Sequence, residues 1–483
     1  MRRVSIEPRP NHTKLVQSQG LVYAKTAGDD YWPDDRYYSF TSEEIELLAK
    51  AGKDVFDMCC EAAEAICKDP TIMTEKMAIP EFAVEQIIKS WDRDPACGSV
   101  YGRFDVCFGG LDHPDERLRT PKFYEFNADT PTSLLESAIV QWHWLEQTGN
   151  GKDQFNSIFD DLMIAWKRNL TEAEKVLGHA IECVYFAASK GDDSGEDAIN
   201  TTVLMEACSE AGWNTESIFL QDIVFHKEEN RYYDKAGKHI DVIFKLWPWE
   251  WMAEDDGERC FKDMANIGEH TRSGEYVGGT LWFEAPYKML WSNKALFPIL
   301  WDMFKDDPRG KYLLSTYFED EAPETLTKYC RKAIFAREGA GITLKDGENV
   351  IQDTPSEGYG KEGYIVQELC QLPKFEDGEG NSTYAVLGLW MVDGEPSGMG
   401  IREDRTLVTG NKSTFVPHSI SDGEVTYKRK AIPTLEDIDR ALTMTAEEKE
   451  TPQYSFAQGL FPADESPYVI VRASEFMMLV RER

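Results

Sequence analysis

Apolar positions along the chain switch between two periods, and the switches mark the elements. Residues 41–66 repeat their apolar positions with a helical period. Thr41 stands where an N-cap belongs, Glu44 where it completes a capping box, and Phe40 and Ile45 where a hydrophobic staple would close. A second helix is expected over 82–92, where Ile87, Ile88 and Trp91 share a face. From 100 to 127 the pattern becomes that of strands. YGRFDVCF and KFYEFNAD are separated by GGLDHPDERLRTP, a polar loop too long for a tight turn.

Further on, 132–148 and 153–177 read as helices, 183–189 as a strand, and 196–211 as a helix stopped by Gly212. IDVIFKLW at 240–247 is a strand and NKALFPILWDMF at 293–304 a helix. KAIFAREGAGITL and GYIVQELCQL are strand-and-turn units, and the hairpin of 384–404 closes the series. Strict strand–helix alternation is absent, so an α+β fold with mixed or antiparallel sheets is expected rather than a doubly wound one. A length of 483 residues suits about three domains. They are expected at 1–150, 151–300 and 301–483.

Composition narrows the partners. Asp and Glu number 86 against 52 Lys and Arg, a formal charge of −34 that repels phosphate backbones and argues against nucleic acid. The same field concentrates small cations. Ten cysteines, Cys97 among them, are scattered without CxxC pairs or zinc spacing, as expected of reduced thiols in a cytoplasmic protein. The start, MRRVSIEPRPNHTK, lacks the apolar run of a secretory signal, and no stretch is long and apolar enough for a membrane span.

Candidate chemistry begins with RFD and EFN. Residues two apart on a strand face the same side, so Arg103 pairs with Asp105 and Glu125 with Asn127, while Phe104 and Phe126 point to the core. Two carboxylates and an amide oxygen make a hard oxygen site suited to magnesium, and an arginine beside them suits a phosphoryl group. A solvated hairpin face with cross-strand salt bridges accounts for the same spacing. In AREGAG, Gly339 and Gly341 let backbone N–H groups approach phosphates, with Lys332 in reach, although an ordinary hairpin loop has the same look. Lys245 in FKLWPWEW, Lys294 in WSNKALFPILW and Arg402 in GMGIRED are cations in apolar surroundings, costly unless paired.

In order, RFD, YEFNADTPTSLLES, FKLWPWE, NKALFPILW, REGAG, QELCQLP and IRED resemble the synthetase domain of glutathionylspermidine synthetases. They are still more similar to stand-alone acid–amine ligases that lack the amidase half. The likeness runs from about residue 31 to about 420, and no amidase activity is expected. It implies a permuted ATP-grasp fold, ATP and Mg2+ as cofactors, and an acyl-phosphate route from a carboxylate and an amine to an amide. By the same resemblance Asp105, Glu125 and Asn127 would hold magnesium, and Arg103 and Arg402 would be catalytic. Lys245, Lys294 and Lys332 would meet the nucleotide phosphates, and Arg337, Glu338, Gly339, Ala340 and Gly341 would form the loop over them. Gln367, Glu368 and Leu369 would line the adenine site. Thr130 and Thr132 stand where the family binds its thiol peptide with serines. Glu196 and Asp197, in an acidic run with Asp192 and Asp193, would meet a polyamine. A non-catalytic ATP- or polyamine-binding protein and a metal-dependent hydrolase are the other classes these residues allow.

Overall fold

The computed structural model describes residues 1–422 except 27–28, 94–98, 193, 378–379 and 411–412. Asp193, Cys97 and the 423–483 part of the expected third domain therefore lie outside the described residues.

The first long helix runs Ser42–Lys68 and starts as its sequence demands. Thr41 Oγ1 accepts from the Glu44 N–H at 3.2 Å, and Glu44 Oε2 accepts from the Thr41 N–H at 3.0 Å, so the two residues satisfy each other's open groups. The helix packs on the strand Ser382–Val392, closely enough that a Cβ at Gly52 would lie 2.6 Å from Leu389. Helices Glu81–Arg93, Ile158–Leu177 and Glu196–Glu210 fall within a few residues of their expected places. The 132–148 stretch is less regular. It opens with a wide π-helical turn, Glu136–Val140, before Gln141–Thr148 winds as an α-helix.

Three sheets surround the centre. One is antiparallel, with strand order Thr414–Phe415, Glu395–Asp404, Ser382–Val392, Tyr101–Cys107 and Lys122–Asn127, and Lys374–Glu376 pairing alongside. Asp393 and Gly394, at φ 52° and 79°, turn its main hairpin, a left-handed pair that suits the twist of the flanking strands. A second antiparallel sheet has the order Thr316–Phe318, Tyr364–Glu368, Lys328–Ala333, Ile342–Asp346 and Asn349–Asp353.

The third sheet departs from the expectation of mixed or antiparallel sheets. Leu281–Phe283, Val242–Lys245, Val184–Ala188 and Thr215–Phe219 lie side by side and all parallel. Its central strands are buried along every residue, which gives the continuous apolar runs of a sheet covered on both faces. The fold is thus a mixed α/β one with several sheets. The N-terminal strands Arg2–Ser5 and Arg36–Phe40 join His418–Ile420 in a small mixed sheet, so both ends of the described chain meet. Among the described residues no helix is long and apolar enough to cross a membrane, and their cysteines are free.

Candidate active site

A cavity of about 400 Å³ opens where the three sheets meet. The hairpin 101–127 supplies its floor. Arg103 stands opposite Asn127 and Asp105 opposite Glu125 in strand register, and all four line the cavity. On the other face Phe104 and Phe126 stack at 3.9 Å between ring centroids, fully within the core.

Two guanidiniums hold one carboxylate. Arg103 Nε donates to Asp105 Oδ1 at 3.1 Å and Arg402 Nη2 to Oδ2 at 2.6 Å. Arg103 also donates to the Thr132 carbonyl at 2.6 Å and lies 5.7 Å from the Trp390 ring. Its side chain lies across Gly388, the residue opposite Asp105 on the neighbouring strand. A Cβ there would sit 2.8 Å from Arg103 Cδ, so the missing side chain makes room for the cation. Arg402 is steadied through its neighbour Glu403, which accepts from Arg3 and Arg36 at 2.7 Å each and from Tyr38 at 2.6 Å.

Lys294 Nζ lies 3.0 Å from Glu125 Oε2 and donates to the Ala336 carbonyl at 2.6 Å, joining the hairpin to the glycine loop. Burial pushes Glu125 upward, but Lys294, Lys332 and Arg402 outweigh it and hold the carboxyl down at about 2. Lys332 donates to Gln367 Oε1 at 2.8 Å, beside Glu368 and Leu369 on the cavity wall. Arg337 reaches back from the loop to Glu250 Oε1 at 2.6 Å and to Thr130 Oγ1 at 3.2 Å. Glu338 and Gly339 turn the loop with φ of 54° and 78°.

Two acids share the same wall. Burial raises Glu196, and burial with Asp192, Glu196 and Glu338 raises Asp197 to about 7. Both begin the helix Glu196–Glu210 and line the cavity with Thr130 and Thr132.

Three described residues named from the sequence, Lys245, Gly341 and Asp192, are not on the wall. Lys245 is completely enclosed, held by Asp129 Oδ1 at 3.0 Å and the Trp247 carbonyl at 2.8 Å. It is a strand-end ion pair inside the protein, and the aromatic residues after it, Trp247 and Trp251, are the ones that face the cavity. Gly341 spends its N–H on the Pro355 carbonyl at 2.7 Å. Asp129 and Glu136, both inside YEFNADTPTSLLES, Glu250 at the end of FKLWPWE, and Tyr31 join the site without having been singled out by their residue pattern.

The donor set fits the implied metal. No group of three His, Cys, Asp or Glu among the described residues could hold an ion alone. Magnesium does not need one, since it usually keeps waters and takes one or two carboxylates together with substrate phosphates. Asp105 and Glu125, with the amide oxygen of Asn127, offer hard oxygen donors of that kind and would suit it, beside cations suited to phosphates.

The fold is that of a glutathione synthetase-like protein. A solved glutathione synthetase-like effector of Globodera pallida superposes with a TM-score of 0.51 at 11% identity, over 85% of this chain and 95% of that one. The family model of the glutathionylspermidine synthase preATP-grasp type matches residues 3–421, and the chain belongs to that family. A Haemophilus influenzae protein named as an acid–amine ligase is 33% identical over 432 residues, covering 86% of this chain and 99% of its own length. The trypanothione synthetase of Crithidia fasciculata is 29% identical, matching 84% of this chain and 59% of its own length. The bifunctional glutathionylspermidine synthetase/amidase of Escherichia coli is 26% identical, with 85% and 62% covered. This chain therefore spans about three fifths of those two longer relatives.

Proposed function

We propose that this protein is an ATP- and magnesium-dependent acid–amine ligase. It joins the carboxylate of glutathione, or of a related peptide or acid, to an amine of a polyamine such as spermidine through an acyl phosphate. The observation that carries this reading is one cavity that brings four cations, Arg103, Arg402, Lys294 and Lys332, together with two acids, Glu196 and Asp197. The four cations suit a polyanionic nucleotide, the two acids suit a polycationic amine, and the peptide acid fits near Thr130 and Thr132 in the same cavity.

A carboxylate is a poor electrophile, and phosphorylation by ATP gives it a good leaving group. Arg103 and Arg402 stabilise the charge that develops on the transferred phosphoryl oxygens. Lys294 and Lys332 neutralise the remaining phosphates, and Gln367, Glu368 and Leu369 border the adenine. Asp105, Glu125 and Asn127 would hold magnesium, which supplies further neutralisation of phosphate charge. The loop Arg337–Gly341 excludes water from the acyl phosphate, whose hydrolysis would waste ATP. In this reading the fold is a permuted ATP-grasp. The metal-binding hairpin lies in 1–150, the substrate region in 151–300, and the lid and nucleotide region in 301–483.

ADP release, measured with a panel of acids and with or without amine, tests the reading, and mass spectrometry names the product. Amine-stimulated ADP release with a new amide supports it. Nucleotide binding without turnover would make the protein a binder, and hydrolysis without ATP a metal-dependent hydrolase.

A further inference from the structure

On the ligase reading of this cavity, the attacking amine arrives as an ammonium ion and must shed a proton before its lone pair can reach the acyl carbon. We propose that Tyr31 accepts that proton and passes its own to Glu136, so that the pair is the proton outlet for the amine.

Tyr31 stands on the cavity wall beside Ser133, Glu196 and Asp197. Its hydroxyl donates to Glu136 Oε1 at 2.7 Å, and Tyr23 donates to the same oxygen at 3.1 Å. Glu136 is fully enclosed, and its second oxygen, Oε2, is buried with no hydrogen-bond partner. A phenol has one proton to give. With that proton committed to Glu136, Tyr31 can meet a cavity ligand only as an acceptor, and an ammonium N–H is the donor that suits it. Behind Tyr31, Glu136 is a carboxylate with capacity to spare.

The groups facing the pair come from every element around it. Tyr23 and Tyr31 belong to the N-terminal segment, Ser133 precedes the turn that carries Glu136, Glu196 opens its helix, and Arg402 faces Tyr31 from the antiparallel sheet. Burial, with the neighbouring charge of Glu196, raises Glu136 to about 7 despite the two phenol donors. A carboxylate so raised is a stronger base than an ordinary one, and it is still ionised in part at neutral pH.

The step balances without any further reactant. The ammonium nitrogen gives a proton to the Tyr31 oxygen as the Tyr31 proton crosses its hydrogen bond to Glu136 Oε1. Ammonium and carboxylate become free amine and carboxylic acid, and no electrons change hands. The nitrogen lone pair then forms the C–N bond while the acyl C–O bond to phosphate breaks, and the second nitrogen proton leaves with the phosphate. Tyr31 touches the substrate in this scheme, and Glu136 acts through it.

Hydroxylamine tests the assignment, because it is largely uncharged at pH 7 and captures acyl phosphates as hydroxamates without needing a base. The whole chain is assayed with ATP, magnesium and whichever acid of the panel turns over, using either spermidine or hydroxylamine. In Glu136→Gln the ratio of hydroxylamine to spermidine turnover is expected to rise about 100-fold, the scale of a lost general base. The rise of kcat/KM for spermidine through about pH 7 should also disappear. Tyr31→Phe, which keeps the ring, should shift the ratio the same way, and it serves if the Glu136 variant does not fold. Equal slowing of both nucleophiles would make the pair structural and overturn the proposal, as would an unchanged ratio. If the unaltered protein forms no hydroxamate from any acid, the ligase reading itself fails, and that result is distinct from the others.

Discussion

Glu125 is charged because three cations outweigh its burial, and that balance sets what its loss should do. Glu125→Gln keeps the shape and removes the anion. ADP formation should fall at least about 100-fold, roughly 2.7 kcal/mol of transition-state stabilisation, in a variant that still folds but melts lower because three cations lose their counter-charge. Normal activity with normal magnesium dependence would remove the hairpin from the metal site. The two lysines that look alike in sequence should behave differently. Lys294 faces the cavity, so Lys294→Met should weaken ATP binding by equilibrium titration while the fold survives. Lys245 is enclosed against Asp129, and Lys245→Met would leave a buried carboxylate unpaired, a cost of about 3–5 kcal/mol to stability. Denaturant unfolding of both variants decides the contrast, and a stable Lys245→Met with lost ATP affinity would restore Lys245 to the nucleotide.

At the scale of elements, Gly388 shows how one strand position governs a neighbour. A methyl there would meet Arg103 Cδ at 2.8 Å, and Arg103 is pinned to Asp105 and Thr132, so the guanidinium must move. Gly388→Ala should cost turnover far more than nucleotide affinity, read as kcat against the Kd of ATP; equal losses in both would point to a general disturbance of the sheet. Much of this neighbourhood was legible beforehand. Period-two spacing placed Arg103 with Asp105 and Glu125 with Asn127, each pair on one face, while the register that sets Asp105 opposite Glu125 is seen only in the folded sheet. The capping box of Thr41 and Glu44 was legible because every group in it lies within four residues. The parallel sheet was not, because its strands are short buried runs whose direction depends on long connections. Nor was the Tyr31–Glu136 pair, whose members lie 105 residues apart with no periodic signal to join them. The partner of Lys245 was not legible, because a cation in an apolar strand has the same sequence whether it meets a phosphate or Asp129.

Over the whole molecule, buried acids set the response to pH. Glu136, Asp160, Asp197 and Asp263 are each raised to about 7, chiefly by burial. A carboxyl raised in the folded state contributes stability that is complete below its unfolded value and is lost as pH rises through 7. The protein should therefore melt at a higher temperature at pH 6 than at pH 8. Glu125 works in the opposite sense, but its window lies between about 2 and its ordinary value of 4.5, outside that comparison. Spermidine should recover more of the melting temperature at pH 8, where Asp197 is ionised and the amine is still protonated, and salt should weaken the recovery by screening the −34 field. A melt independent of pH, with no effect of spermidine, would separate Glu196 and Asp197 from amine binding.

The strand order of the antiparallel sheet has a consequence in time. Tyr101–Cys107 sits between Lys122–Asn127 and Ser382–Val392, and Arg402 arrives on the strand after that. A ribosome adds ~5–20 residues per second, so on the order of ten seconds or more passes between emergence of the acidic hairpin and of the strand that covers its open edge. During that interval the nascent chain carries Asp105 without Arg402 and an unpaired row of backbone groups, a natural substrate for a chaperone that holds extended segments. Stalled nascent chains ending before residue 382 should thus be cut by a protease within 101–127. Chains with residue 420 clear of the exit tunnel should resist the same protease, and resistance already present in the shorter set would mean that the hairpin finds shelter earlier than its sheet allows.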